Sequence, residues 1–508
     1  MTHEGSEGQS VVRGAWLAMA MRWVDRLVGI ASTLILARLL APEDFGVIAM
    51  AMLVIGLVEV LSDLGVNIAI VREREPGAVF LDTAWTLRLL QNALVGVTLF
   101  AVAPLAADYF NDVRVAPVLQ VLSIAFFISG FENIGIVALQ KDMRFSEEFR
   151  FLAARRLAGF IVTVTAAYAI GSYWALVIGY IASRLLGTAL SYVLHPMRPG
   201  FSLKAWRSLL GISKWLMLRS VGEFLVNNLH RLVIGRLFPA STVGYYTLAN
   251  EISLMPGAEF LAPMNRALFP AFSKIQDDAT ALRRLFMRAQ SIQYLLALPI
   301  AAGMVMTAPE AVAVLLGEKW MRAAPLLEVL VIGASLLALS SCSGYVLLVR
   351  GKYRHIALLT WAQLALFVLA LFALMPSVVT ASASSALSPE LAPDAVALAR
   401  TIAAAVGLVL NALVLRHAAP MIRWSDVCAG VVRPALGVAM MVTALSLLTL
   451  PATLPPVLVL LAKAALGAWI YSAGVVVLWL LSGRPDGAET WLLGQLRSRL
   501  ARADGARR

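Results

Sequence analysis

The chain has 508 residues, of which 60% are hydrophobic and only 14% charged, and its mean hydropathy is +0.81. A soluble domain carries about a quarter charged residues, so the composition excludes a soluble globular protein and points to a polytopic membrane protein. The net charge of +12 is scattered through short loops instead of forming one arm or stripe, which excludes nucleic acid as a partner.

A helix needs about 20 residues to cross about 30 Å of hydrocarbon, and on this ruler the chain predicts fourteen spans. The first six run Trp16 to Leu39, Phe45 to Leu64, Ala84 to Ala106, Val118 to Leu139, Leu157 to Ile170 extended back toward Phe149, and Tyr173 to Leu194. The next six are Trp215 to Phe238, Val243 to Leu268, Ile292 to Val314, Leu326 to Val349, Ile356 to Met375 and Val396 to Leu415, followed by Pro434 to Leu450 and Val457 to Leu481. A polar dozen residues precede the first span, which has no small-x-small cleavage site and is expected to remain in the mature protein. Pro256-Gly257 inside the eighth predicts a kink that frees backbone groups.

With the N-terminus inside, 28 of the 42 lysines and arginines fall in cytoplasmic segments, against 5 in the outer ones. That bias orients both termini to the cytoplasm. Two cytoplasmic segments read as surface helices that anchor on anionic lipid, Ser202 to Lys214 and the tail around Leu492 to Leu500. The outer loops are short, and the longest, Pro376 to Asp394, has no Lys, Arg or His. Such loops disfavour a membrane-embedded polysaccharide polymerase or ligase, which handles its substrate at the bilayer surface.

Only two cysteines and five dispersed histidines occur, with no metal-ligand spacing, so neither a metal nor another cofactor is expected. The ionisable residues inside spans carry the functional expectation instead, because each costs roughly 2.5 to 3.5 kcal/mol at a helix centre and is retained toward protein or a water-filled path. In the first span Arg22, Asp25 and Arg26 share one helical face. They read either as a self-neutralised cluster or as a cavity-facing site. In the seventh, Arg219, Glu223, Asn227 and Arg231 follow at i+4 intervals, a stripe that must face protein or water. Glu59 and Asp63 form a like-charge i, i+4 pair in the second span, where one stays protonated or both meet arginines such as Arg88. Arg184, Arg266, Arg400 and Lys463 read as isolated snorkelling or packing residues.

An internal repeat joins the two halves. Arg38-Leu39, Gly46 and Ala51 recur as Arg236-Leu237, Gly244 and Ala249 at a constant offset of 198, which also pairs Asp25 with Glu223. A six-span period predicts parallel repeats about an axis along the membrane normal, with the substrate path between them.

The segments Leu34 to Val66 (LILARLLAPEDFGVIAMAMLVIGLVEVLSDLGV), Ala138 to Phe145 (ALQKDMRF) and Arg231 to Ser253 (RLVIGRLFPASTVGYYTLANEIS) resemble the polysaccharide transporter branch of the multidrug/oligosaccharidyl-lipid/polysaccharide exporter superfamily. The resemblance implies an all-α fold of about fourteen transmembrane helices in two six-helix lobes plus two C-terminal helices. The lobes are expected at 1–195 and 215–417, with an amphipathic linker at 196–214, helices 13 and 14 in 418–482, and a basic tail at 483–508. It also implies a flippase, not an enzyme, that carries polyprenyl-diphosphate-linked sugar repeat units to the outer leaflet of the bacterial inner membrane, alongside a polysaccharide polymerase. On that reading Arg22, Arg26, Arg88, Arg219, Asn227 and Arg231 bind substrate, since guanidinium forks suit phosphate. Asp25, Glu223, Glu59 and Asp63 are candidates for H+ or Na+ coupling. His230-Arg231 stands where the family pattern implies an acidic residue, so the family's ion scheme does not transfer directly. A lipid II flippase and a multidrug or cation antiporter of the same superfamily are the alternatives.

Overall fold

The computed structural model describes residues 23–24, 26–66, 69–70, 73, 77–137, 145–209, 213–375, 392–451, 453–484 and 490. Among these residues ten helices are long and apolar enough to cross a membrane. The chain divides into two compact units, 1–244 and 245–508.

In the first unit, residues 26–39 form α1, followed by α2 (Pro42–Ser62), α3 (Ala78–Phe110), α4 (Val115–Gly130), α5 (Phe145–Ile170), α6 (Trp174–Leu194) and α7 (Ser213–Leu237). Helix α2 starts where chemistry prescribes. Pro42 occupies the first turn, Glu43 and Asp44 complement the helix dipole, and Asp44 accepts the Ala41 N–H at 2.8 Å. The other Asp44 oxygen accepts the Tyr173 N–H at 2.9 Å, tying α2 to the start of α6. Hairpins α3/α4 and α5/α6 make the most extensive packing in the unit, and α7 lies against α2. Asn111, in the left-handed region at φ 53°, ends α3 by turning its backbone N–H onto the last carbonyls.

Helix α8 (Ala240–Pro256) begins at a contact that the repeat anticipates. A Cβ on Gly46 would sit 1.7 Å from the Ala240 carbonyl oxygen, and a Cβ on Gly244 would sit 1.9 Å from that of Pro42. The offset of 198 exchanges both partners, Pro42 with Ala240 and Gly46 with Gly244, so the first turn of α2 and residues 240–244, the last of the first unit, approach each other reciprocally. Only glycine permits that approach.

The second unit continues with a π-helical turn (Gly257–Leu261), α9 (Ala262–Lys274), α10 (Ala279–Met306), α11 (Ala308–Leu315), α12 (Ala323–Leu339), α13 (Ser341–Val349), α14 (Tyr353–Leu374), α15 (Ala392–Ala418), α16 (Trp424–Leu447) and α17 (Pro456–Leu481). The π-helical turn follows Pro256, whose ring removes a helix hydrogen bond, at the place where the sequence leads one to expect a disturbed helix. The tenth expected span is present as one 27-residue span, Ala323–Val349, with a turn between α12 and α13 at Ser340, whose hydroxyl donates to the Leu337 carbonyl at 2.7 Å. Helices α16 and α17 pair closely through Gly437, Gly467 and Gly474 and pack on α10. The expected tail helix and the loop from 376 to 391 lie outside the described residues.

The linker differs from its expected form. Within Ser202 to Lys214 the described residues form only the short helix Trp206–Leu209 and, at Ser213 and Lys214, the start of α7, and Leu209 is fully buried in an apolar cluster with Val66, Ile70, Trp85 and Ile134. Proline and glycine at Pro196, Pro199 and Gly200 keep the approach extended. The described part is thus fastened to the first unit through Leu209 instead of forming one continuous amphipathic helix, while Leu203, Lys204, Trp206 and Arg207 stay exposed.

Candidate functional site

Every residue that the sequence nominates as a site falls in the first unit. Its structural centre is Glu132, which sits just past the end of α4. There the chain leaves the helix over Phe131 to Ile134, and Asn133 satisfies the interrupted backbone. The Asn133 N–H donates to Ser191 Oγ at 3.0 Å, its side-chain amide donates to the Met197 carbonyl at 2.7 Å, and its side-chain oxygen accepts the Gly135 N–H at 2.9 Å. The break presents the Glu132 carboxylate sideways, with the residue only 6% exposed.

Two arginines share that carboxylate. Arg88 of α3 approaches Oε1 at 3.3 Å, and Arg155 of α5 approaches Oε2 at 3.5 Å. Each arginine lies ten residues into its helix, about 15 Å along the axis at 1.5 Å per residue. The Arg155 stem crosses Gly187 of α6, where a Cβ would come within 2.8 Å of its Cδ. Arg184 of α6 donates to Tyr180 Oη at 2.9 Å and lies over the same ring, within electrostatic reach of Arg155 and Glu59. Glu59 also feels Asp63, which caps the end of α2 by accepting the Gly65 N–H at 2.9 Å. Five helices therefore bring three arginines and three acids together.

The pairing differs from the simplest sequence reading. Arg88 meets Glu132, while Arg184, expected to be isolated, stands beside Glu59. Arg155 was countable only as a loop arginine in the sequence, and no local signal links it to Glu132, 23 residues earlier across a helix break. One carboxylate cannot neutralise two guanidiniums, and the arginine side chains keep 21% and 24% of their surface accessible. The arrangement offers spare, permanently charged N–H donors to an anion.

On α7, Glu223 and Asn227 are exposed one turn apart, Arg231 is partly buried, and His230 is buried. Asn227 and Asn228 donate to the carbonyls four residues back at 2.8 and 3.0 Å, which leaves their side-chain oxygens free to accept. Arg26 is partly buried in α1. Arg22, Asp25 and the side chain of Arg219 lie outside the described residues. No group of His, Cys, Asp and Glu suited to a metal occurs among the described residues.

Residues 35–325, more than half of the chain, match the family model described as polysaccharide biosynthesis protein. The chain belongs to that family. Among its relatives, the lipopolysaccharide biosynthesis protein WzxC of Escherichia coli is 29% identical over 353 residues, covering 68% of this chain and 71% of the relative. The succinoglycan biosynthesis transport protein ExoT of Rhizobium meliloti is 25% identical over 330 residues, covering 65% of this chain and 66% of the relative. The fold matches that of the lipid II flippase MurJ in an inward closed conformation, with a TM-score of 0.70 at 13% identity over 92% of this chain and 99% of that one. It also matches an inward-facing multidrug transporter of the MOP superfamily, with a TM-score of 0.54 at 15% identity over 78% and 95%. This family member therefore has the all-helical MOP fold, and Arg88, Glu132 and Arg155 all lie within the matched region.

Proposed function

We propose that this transporter of the bacterial inner membrane flips polyprenyl-diphosphate-linked oligosaccharide repeat units to the outer leaflet for O-antigen, capsule or exopolysaccharide assembly. The observation that carries the reading is the buried carboxylate shared by two arginines about ten residues inside their helices. A diphosphate must shed water to cross a low-dielectric region, and guanidinium forks replace that water at two points each. The names of the relatives, which concern lipopolysaccharide and succinoglycan, support the substrate class.

In the proposed mechanism Arg22, Arg26, Arg88, Arg155, Arg219 and Arg231 contact the diphosphate while Asn227 meets sugar hydroxyls. The polyprenyl tail stays in lipid, and the two lobes rock between inward and outward states with both termini cytoplasmic. Asp25, Glu223, Glu59 and Asp63 compete with phosphate for the arginines, so substrate binding frees a carboxylate to take up H+ or Na+. Each ligand then has a different affinity in the two states, as coupling requires. The glycan would pass to a polysaccharide polymerase outside.

Deleting the gene should make a polyprenyl-linked glycan accumulate on the inner leaflet. Plasmid-borne wild type should clear it, while Arg26→Ala or Arg219→Ala, inserted at normal levels, should not. Lysine at either position should restore export only in part. Export at the wild-type rate by a variant lacking Arg22, Arg26, Arg219 and Arg231 together would remove the basis for these assignments.

A further inference from the structure

Between α6 and α7 the chain forms a strap, residues 195–209, that is fastened to both elements carrying the Arg88–Glu132 pair. On α3, Asp82 accepts the Gly200 N–H at 2.9 Å, Thr86 Oγ1 accepts the Ser202 N–H at 3.0 Å, and Thr83 Oγ1 accepts the Ala205 N–H at 3.3 Å. At the α4 break, Asn133 holds the Met197 carbonyl, and the His195 ring lies where a Cβ on Gly135 would be. Phe201 meets Trp85 edge to face at 5.2 Å, and Leu209 is sealed in the core.

The exposed side of the strap is of another kind. Phe201, Leu203 and Trp206 are 77%, 50% and 46% exposed, although they lie beyond the end of the α6 span at Leu194. Lys204 and Arg207 are exposed among them, with Arg207 stacked 5.5 Å from the Trp206 ring. Arg198 belongs to the scaffold, since it donates to the carbonyls of Tyr192, His195 and Met197 and lies over Tyr192. The nearby carboxylate of Asp82 is occupied by the Gly200 N–H.

We propose that this face is a binding site for the headgroup of an anionic phospholipid of the inner leaflet. Lys204 and Arg207 neutralise the phosphate, while Trp206, Leu203 and Phe201 insert at the level where aromatic side chains settle. Complementary charge selects the lipid, and the fastened backbone makes the site rigid, so binding does not have to order a loop first. A lipid held there braces the strap against both sides of the Arg88–Glu132 pair, making lipid composition an input to the substrate-binding network. The inference rests on the cytoplasmic placement proposed above.

Native mass spectrometry of detergent-purified protein with phosphatidylglycerol or phosphatidylcholine added tests it without any transport step. Wild type should retain phosphatidylglycerol in preference and gain thermal stability from it. Lys204→Gln/Arg207→Gln should weaken retention roughly fivefold for each cation removed. Lys204→Glu alone, the same change of two charges, should weaken it to a comparable degree while leaving the lipid-free melting temperature unchanged. Equal retention of both lipids by wild type, or undiminished phosphatidylglycerol binding by the double variant, would overturn the proposal. Either result would leave the flippase reading standing, and a selective lipid site would persist if that reading failed.

Discussion

Removing the charge of Glu132 is the sharpest perturbation of the first unit. In Glu132→Gln the Arg88 and Arg155 guanidiniums, now 3.3 and 3.5 Å from a neutral amide, face each other with their shared counter-charge gone. At about 3.4 Å and an effective dielectric near 20, each lost attraction is worth about 5 kcal/mol before the cost of desolvation. Breaking a buried pair costs about 3–5 kcal/mol net, and the accessible edges of both arginines put this site near the lower end, about 3 kcal/mol. For a unit of this size that corresponds to a melting temperature lowered by about 6 °C. Differential scanning fluorimetry in detergent reads it directly. Arg88→Met/Glu132→Met/Arg155→Met, which removes all three charges, should recover most of the stability while export stays lost. A Glu132→Gln protein that melts within about 1 °C of wild type would refute the argument that a buried carboxylate holds two arginines.

Gly46→Ala should destabilise by about 1–3 kcal/mol, since its Cβ lands 1.7 Å from a carbonyl oxygen, and Gly46→Ala/Gly244→Ala should cost less than the sum because one separation of the helices relieves both clashes. Melting temperatures of the three variants check this. In the second unit, Lys463 of α17 meets Glu310 of α11 at 2.5 Å and the Met306 carbonyl at 3.3 Å. Lys463→Met should lower the melting temperature, and Lys463→Met/Glu310→Met should restore it, because the neutral pair strands no charge. At the turn after α3, burial pushes the Asp112 carboxyl up, but hydrogen bonds and charge from Arg114 outweigh it and hold it below the usual carboxylate range. Its stabilising contribution is present above the ordinary carboxylate value near 4 and is lost as pH falls through the lower folded value. The melting-temperature gap between wild type and Asp112→Asn should therefore close on acidification from about pH 5 to about pH 3.

Hydropathy made the helices legible because every backbone group in lipid must be bonded within its own segment. At one place the repeat coincides with a close contact: Gly46 and Gly244, found by their offset, are residues whose missing side chains let the start of α2 approach residues 240–244. The π-helical turn after Pro256 is consistent with proline chemistry. The site was less visible. Arg88 was nominated, but its partner Glu132 depends on where α4 stops, and that stop is held by Ser191 and Met197, about sixty residues away. Arg155 needed the space left by Gly187 on another helix, a contact with no periodic signature. The strap misled because Leu203, Trp206, Leu209 and Leu210 have helical spacing, whereas Leu209 alone among the described ones is sealed in the core. Lys463 and Arg400 looked isolated only because Glu310 and Asn250 lie on distant segments.

The central claim is that the arginines of the first unit carry a diphosphate across the membrane. The most direct test reconstitutes the protein in liposomes that hold a fluorescent polyprenyl-diphosphate oligosaccharide and measures how fast the sugar becomes accessible to an impermeant reagent on the far side. Wild type should flip it, whereas Arg88→Gln/Arg155→Gln, matched for insertion and fold, should not, and a glycan on an uncharged polyprenyl carrier should stay put with either protein. Equal rates for the charged and uncharged carriers, or for wild type and Arg88→Gln/Arg155→Gln, would contradict the account.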